Sequence, residues 1–243
     1  TTDPAFGLPA VWIDASSRDL AQAYGYTVVD ASTVVATHLN HLVLSHAAEL
    51  LGRQETQALL DHLAKDMPKL IEDLVPKILP LGVVQKVLQN LLEESVHIRD
   101  MRTIIEILAD NATRTQDTEV LTAQVRSALG RSIVQQLFAG NSEMQVMSLD
   151  PQLERILVQA VSGSGEGAAI EPGMADTLMR ESAAAAQRQE ELGLPSVLLV
   201  PANLRTLLSR FLRRSIPQLK VLAHSEVPDT KTIKVTSIIG GRA

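Results

Sequence analysis

Three of the six histidines in this chain fall within ten residues: His38, His41 and His46, in the stretch THLNHLVLSH. Clustered imidazoles are the raw material of a zinc or other transition-metal site, and such a site would bring hydrolytic chemistry. On a regular helix, at about 100° per residue, His38 and His41 stand roughly 60° apart and His46 roughly 140° from His41. Three side chains so spaced do not converge on one ion. His38 and His41 are spaced H-x-x-H with no Glu between them, unlike the H-E-x-x-H of zinc proteases. The expectation is one packed histidine, His46, and two surface ones, with no metal and no cofactor.

Other catalytic patterns fare no better. Gly163–Gly167 (GSGEG) is glycine-rich, but no Lys-Ser/Thr follows and a helix precedes it, so it reads as a solvated loop rather than a phosphate cradle. There is no G-x-S-x-G elbow. With no cysteine, thiolate ligands, disulfides and a thiol nucleophile are excluded. Glu93-Glu94, Glu171, Glu190-Glu191 and Glu226 with Asp229 lack the spacing of an acid/base pair and are expected at solvated helix ends and loops. The chain is not expected to be an enzyme. A small metal-dependent α/β enzyme using His38 and His41 is the alternative of a different class.

Composition narrows the partners. The net charge is −6 with no dense basic block, and aromatics make up 2% of the 243 residues. Phosphate neutralisation and base stacking are both poorly supplied, so no nucleic acid is expected. A hydrophobic content of 45% is that of a globular chain, with a core of Leu, Val, Ile and Ala. No apolar run reaches the roughly 20 residues of a membrane span, and the first residues do not resemble a signal peptide.

The elements that would position such residues are legible from periodicity. Pro9–Ile13 and Tyr26–Val29 read as short strands, separated by a helix that Gly25 stops. Asp30 or Ser32 caps a longer helix through Leu51, ending at Gly52. Between Arg53 and about Arg131 the pattern is helical, punctuated by Pro68, Pro76 and Pro80. The stripe Ile98, Met101, Ile104, Ile105, Leu108 marks one helix, and Leu121, Val125, Leu129, Ile133 and Leu137 extend the pattern at steps of four. After Gly140 the period alternates: strand Met144–Leu149, a helix from Pro151, helix Met179–Gly193, strand Pro195–Val200, a helix ended by Pro217, then strands Leu219–His224 and Ile233–Ile239. The fold class is therefore mixed, α+β or α/β in several subdomains, with small α/β amino-terminal pieces, a central helical subdomain and a carboxyl-terminal α/β one.

On the histidine helix, Val35, Leu39, Leu42, Val43 and Leu50 share an arc of roughly 100° that also holds His46, the expected core face. Val34, Thr37, His38 and His41 occupy an arc of roughly 100° on the other side, facing solvent or a partner groove.

Longer stretches carry a resemblance. GLPAVWI, GYTVVDASTVVATHL, HAAELLGRQETQALLDHL, VLQNLLEESVHIRDMRTIIEILAD, LTAQVRSALGR, PSVLLVPANLR and VLAHSEVP resemble, in order, the cytoplasmic region of the type III export-gate family (FlhA/SctV). ATHL and IRDMRTIIE look more like its flagellar branch, and the homologous gate of a virulence injectisome is the alternative. The resemblance implies four subdomains, with residues 1–52 holding parts of the first two, the chain starting inside the second. Residues 53–130 would form the helical third, 131–228 the α/β fourth, and 229–243 a terminal strand and tail. It implies a docking platform that orders export, arranged as a homo-oligomeric ring of nine. The implied partners are flagellar chaperones with their cargo, the ATPase complex and the export-gate switch protein. The parent would be an integral protein of the bacterial inner membrane, with this region at its cytoplasmic face. The chaperone pocket carries over onto Asp3, Phe6, Val29, Val34 and Thr37: an apolar dimple edged by two directional polar groups.

Overall fold

A computed structural model describes residues 1–140, 142–163 and 171–240; the Gly163–Gly167 loop proposed above falls, apart from Gly163, outside them. The first segment holds α1 (Arg18–Ala23), α2 (Ala31–Ser45) and α3 (Ala47–Leu50). Gly25, at φ 84°, ends α1 as expected, with the Tyr26 amide reaching back to the Ala21 carbonyl. Neither Pro9–Ile13 nor Tyr26–Val29 is a strand; the segment's only β feature among the described residues is an isolated bridge, Thr2 to Pro9. An apolar β-branched run becomes a strand only when another strand satisfies its amides along its length; Pro9–Ile13 meets only the single bridge to Thr2, and among the described residues no strand pairs with Tyr26–Val29. The long helix also breaks. His46 leaves helical geometry at φ −107°, ψ 14°, separating α2 from α3.

A helical layer follows: α4 (Arg53–Ala64), α5 (Pro68–Leu74), α6 (Leu81–Glu93), α7 (Met101–Asn111), α8 (Thr118–Ala128) and α9 (Gly130–Leu137). Its starts have local causes. Glu55 accepts from the Gly52 amide at 3.0 Å, Asp100 from Thr103 at 3.1 Å, and Asp117 from Glu119 at 2.7 Å. Pro68 opens α5, where its missing N–H costs nothing. The stripe from Leu121 to Leu137 spans two helices rather than one, broken at Leu129.

The remainder alternates: β1 (Glu143–Leu149), α10 (Pro151–Gly163), α11 (Pro172–Glu191), β2 (Val197–Val200), α12 (Ala202–Leu212), β3 (Lys220–Ala223) and β4 (Thr232–Ile239). α11 begins seven residues before the expected Met179, because Pro172 is itself a good first-turn residue. The sheet is parallel throughout, in the order β3-β2-β1-β4. Thr236 is the extra residue where the β1–β4 register shifts, and its hydroxyl donates to the Val146 carbonyl at 3.0 Å.

All four residues of β2 are buried, the mark of a strand covered on both faces. Val197 and Leu199, with Met144, Val146 and Leu222, join the core of the helical layer. Leu198 and Val200, with Met147, Leu149 and Val221, pack instead against α10, α11 and α12 through Leu157, Leu178, Leu204 and Leu208. Two-residue periodicity thus splits β1, β2 and β3 between two cores and welds the helical layer to the sheet, while β4 adds only Ile239. Each fully buried Leu or Val contributes about 1.5–3 kcal/mol of transfer free energy.

Candidate binding surface and the charged seam

The amino-terminal arm contains no buried residue; Leu51 is the first. Four of the chain's six aromatics, Phe6, Trp12, Tyr24 and Tyr26, lie on this arm, each about 70% exposed. The carbonyl of Leu51 is held by Gln85 and Gln89 of α6, at 3.2 and 2.9 Å, which tethers the arm to the helical layer.

The five expected site residues fall into two groups. Asp3 shapes a tight loop: its Oδ1 accepts from the amides of Ala5 at 2.9 Å and Phe6 at 2.8 Å. The Asp3 amide donates to Leu8, and Gly7 turns the chain at φ 68°. The loop lifts Phe6 outward, 68% exposed. Val29 is 52% exposed on the lead-in to α2, while Val34 and Thr37 are half-buried on α2 itself. Among the described residues no hydrogen bond or ion pair joins Asp3 or Phe6 to the other three. An Arg18–Asp30 ion pair of 2.8 Å holds the start of α2 against α1.

Two expectations about α2 are overturned. Val35, Leu39, Leu42, Val43 and Leu50, taken as a core face, are all exposed, and so is His46, whose Nδ1 lies 3.2 Å from the Glu49 carboxylate. Val34, Thr37 and His38, taken as outward, are the more covered side. Amphipathic periodicity names a face that burial would stabilise, not the face that is covered. Here that face stays 41–67% exposed.

The structure also assembles a site that sequence reading missed. Arg126 of α8 grips Glu226 in the β3–β4 connection through Nε (2.7 Å) and Nη2 (2.9 Å). Its Nη1 is 3.0 Å from Glu94, just past α6, although the angle there makes no hydrogen bond. Arg205 of α12 bonds the same Glu94 and sits 3.8 Å from Glu226. Three of the four side chains are 2–3% exposed and Glu94 is 14% exposed. Burial alone would lower the Arg126 pKa, but the Glu226 bond and both carboxylate charges outweigh it and raise it. Glu226 and Glu94 are therefore not the solvated loop carboxylates expected. Nothing in their local spacing signals this, since the Arg126–Glu226 partners are 100 residues apart. Outside the quartet, Arg213–Glu93 (2.8 Å) and Arg210–Glu119 (2.7 Å) continue the seam between the helical and α/β layers.

Comparison with known proteins places this geometry. The chain is 58% identical over 242 residues to flagellar biosynthesis protein FlhA of Escherichia coli (strain K12), covering 100% of this chain. It is 35% identical to the protein of that name from Bacillus subtilis (strain 168), over 98% of this chain. It spans 34% of the length of the first of these and 36% of the second. Among solved structures, the Chlamydia pneumoniae CdsV protein shares the fold at a TM-score of 0.84 and 24% identity, over 98% of this chain and 68% of that one. The nonameric EPEC SctV-C structure matches at 0.75 and 27% identity, over 93% and 68%. The FHIPEP family model matches residues 1–232. By fold and by sequence over nearly its whole length, the chain belongs to the FHIPEP family.

Proposed function

We propose that this chain is the part of a flagellar type III export gate that receives chaperone–cargo complexes, and that its amino-terminal arm is the receiving surface. The observation that carries this reading is the arm's 50-residue run without a buried residue, holding most of the chain's aromatics in the open. Exposed aromatic and branched side chains concentrated on one element are the composition of a docking surface. Phe6 is the anchor, Val29 and Val34 the apolar bed, and Thr37 a polar edge. Asp3 acts by holding the loop that presents Phe6, a sharper role than an edge contact. Identity of 58% to the flagellar biosynthesis protein of Escherichia coli, against 24–27% to CdsV and SctV-C, favours the flagellar branch over the virulence one.

The same reading divides the chain at 52, 130 and 228. It assembles nine copies into a ring below the membrane, with the ATPase complex and the switch protein as further partners, and it assigns binding rather than catalysis. Among the described residues no helix is long and apolar enough to cross a membrane. Phe6→Ala is expected to weaken binding of a flagellar chaperone–cargo complex by about 2 kcal/mol, roughly 30-fold, with the unfolding midpoint unchanged. Calorimetric titration giving equal affinity for the Phe6→Ala and unsubstituted chains sinks the assignment.

A further inference from the structure

The two edges of the sheet are finished differently. β3 is closed: Val221, Leu222 and Ala223 are 1–4% exposed, and the Ala223 amide donates to Glu226 at 3.4 Å. β4 is open, with every residue from Thr232 to Thr236 exposed and Ile238 besides. In a parallel ladder, residues turn their amide and carbonyl alternately toward one neighbour and the other. The Thr232 amide donates to Ser142 at 3.1 Å, and the Ile239 carbonyl accepts from Asp150 at 2.7 Å, which fixes the phase at both ends of β4. Thr232, Lys234, Ser237 and Ile239 therefore bond β1, while Ile233, Val235 and Ile238 turn their backbone groups outward. The bulge at Thr236 keeps the side chains of these three on one face, alongside Met144, Val146 and Ser148 of β1. The helical layer covers Met144 and Val146 but stops there, leaving Ile233, Val235 and Ile238 at 41, 50 and 58% exposure. Among the described residues no hydrogen-bonding group meets their outward amides and carbonyls.

Backbone groups free at alternate residues select an extended polypeptide, since a helix or a small molecule does not match their spacing. The side chains select its pattern. Branched apolar residues would lie beside Ile233, Val235 and Ile238, and polar ones on the face of Lys234, which is itself 58% exposed and 3.6 Å from Glu143. A second copy does not fit. Pairing β4 with β4 requires a two-fold axis, which the ring of nine proposed above does not contain, and a neighbour's β3 edge is shut. One added strand also covers far less than the roughly 1,200–2,000 Å² of a stable interface, which suits a passing segment. We propose that β4 is a docking edge for an extended segment of a partner polypeptide, alternating branched apolar and polar residues, which adds a fifth strand to the sheet. Only the exclusion of a second copy rests on the ring, and the edge does not depend on the arm.

The test titrates the whole chain with the peptide acetyl-Lys-Val-Thr-Val-Thr-Val-Lys-amide, followed by backbone amide NMR. The peptide is expected to shift the amides of Ile233, Val235 and Ile238 and to slow their hydrogen exchange. It docks by one of its own two edges, so of two analogues, N-methylated at the Val or at the Thr amides, one is expected to bind at least about tenfold weaker. Val235→Pro removes an outward amide that the β1 ladder does not use, and should weaken the peptide at least about tenfold at an unchanged unfolding midpoint. Val235→Thr keeps that amide and should weaken the peptide several-fold, whereas Phe6→Ala should leave its affinity intact. Equal binding of the peptide and both analogues overturns the proposal, as do shifts confined to other surfaces, unaltered affinity in Val235→Pro or loss of binding in Phe6→Ala. A dimer in sedimentation equilibrium that Val235→Pro dissociates overturns the partner in favour of a second copy. Should Val235→Pro unfold, the two N-methylated analogues decide alone.

Discussion

Arg126 and Glu226 show what a buried charge does at the scale of one residue. With two carboxylates facing it, the guanidinium is neutralised in a site that excludes water. Removing one partner leaves the other charged and dry. Glu226→Gln is expected to cost about 3–5 kcal/mol, read as a lower urea midpoint at unchanged slope. The double variant Arg126→Met, Glu226→Leu leaves Arg205 with Glu94 and should recover most of that loss. Glu93 supplies a pH signature. Burial pushes its carboxyl up, but the Arg213 bond and the Lys86 charge outweigh this and hold it below its ordinary 4.5. A folded-state pKa below the unfolded one means the pair's stabilisation is present above about pH 4.5 and fades as pH falls through the lowered value. Acid unfolding of Glu93→Gln should therefore show a shallower slope in that window than the parent chain.

At the scale of elements, Gly130 explains a break that periodicity could not reveal. A Cβ built there would stand 2.2 Å from the Glu226 carbonyl oxygen, so α9 can start at that point only with glycine. Gly130→Ala is expected to destabilise by about 1–3 kcal/mol, whereas Gly173→Ala, with open space around it, should be neutral or slightly stabilising. Thermal unfolding of the two variants separates them. Helices α4 to α7 were legible because their burial is periodic and their caps and prolines are local, and the strands because they are short runs rich in apolar and β-branched residues. The contact between Gly130 and the β3–β4 connection spans nearly a hundred residues, and no local pattern encodes it. The supposed strand at Tyr26–Val29 failed for the same reason: strand formation depends on a neighbour, and a sequence window does not contain one.

Across the whole molecule, buried core and exposed apolar surface are segregated. The described residues from Leu51 onward build two cores meeting at the sheet, while the arm contributes exposed apolar area and little burial. Deleting residues 1–45 should leave the unfolding midpoint of the remainder nearly unchanged and reduce binding of an apolar dye such as anilinonaphthalene sulfonate. A large drop in the midpoint would show that the arm carries stability after all. The arm's composition was visible in sequence, but which face of α2 is covered was not, because hydrophobicity is a property of the helix and cover a property of its surroundings. The placement of β4 has a mechanical consequence. It runs parallel to β1 and pairs with it from Glu143↔Thr232 to Leu149↔Ile239. Tension applied between the start of β1 and the end of β4 loads that ladder in shear, so its hydrogen bonds share the force together. A pull across the short β3 edge would instead open bonds one at a time, so the sheet is stiffest along the β1–β4 strand direction.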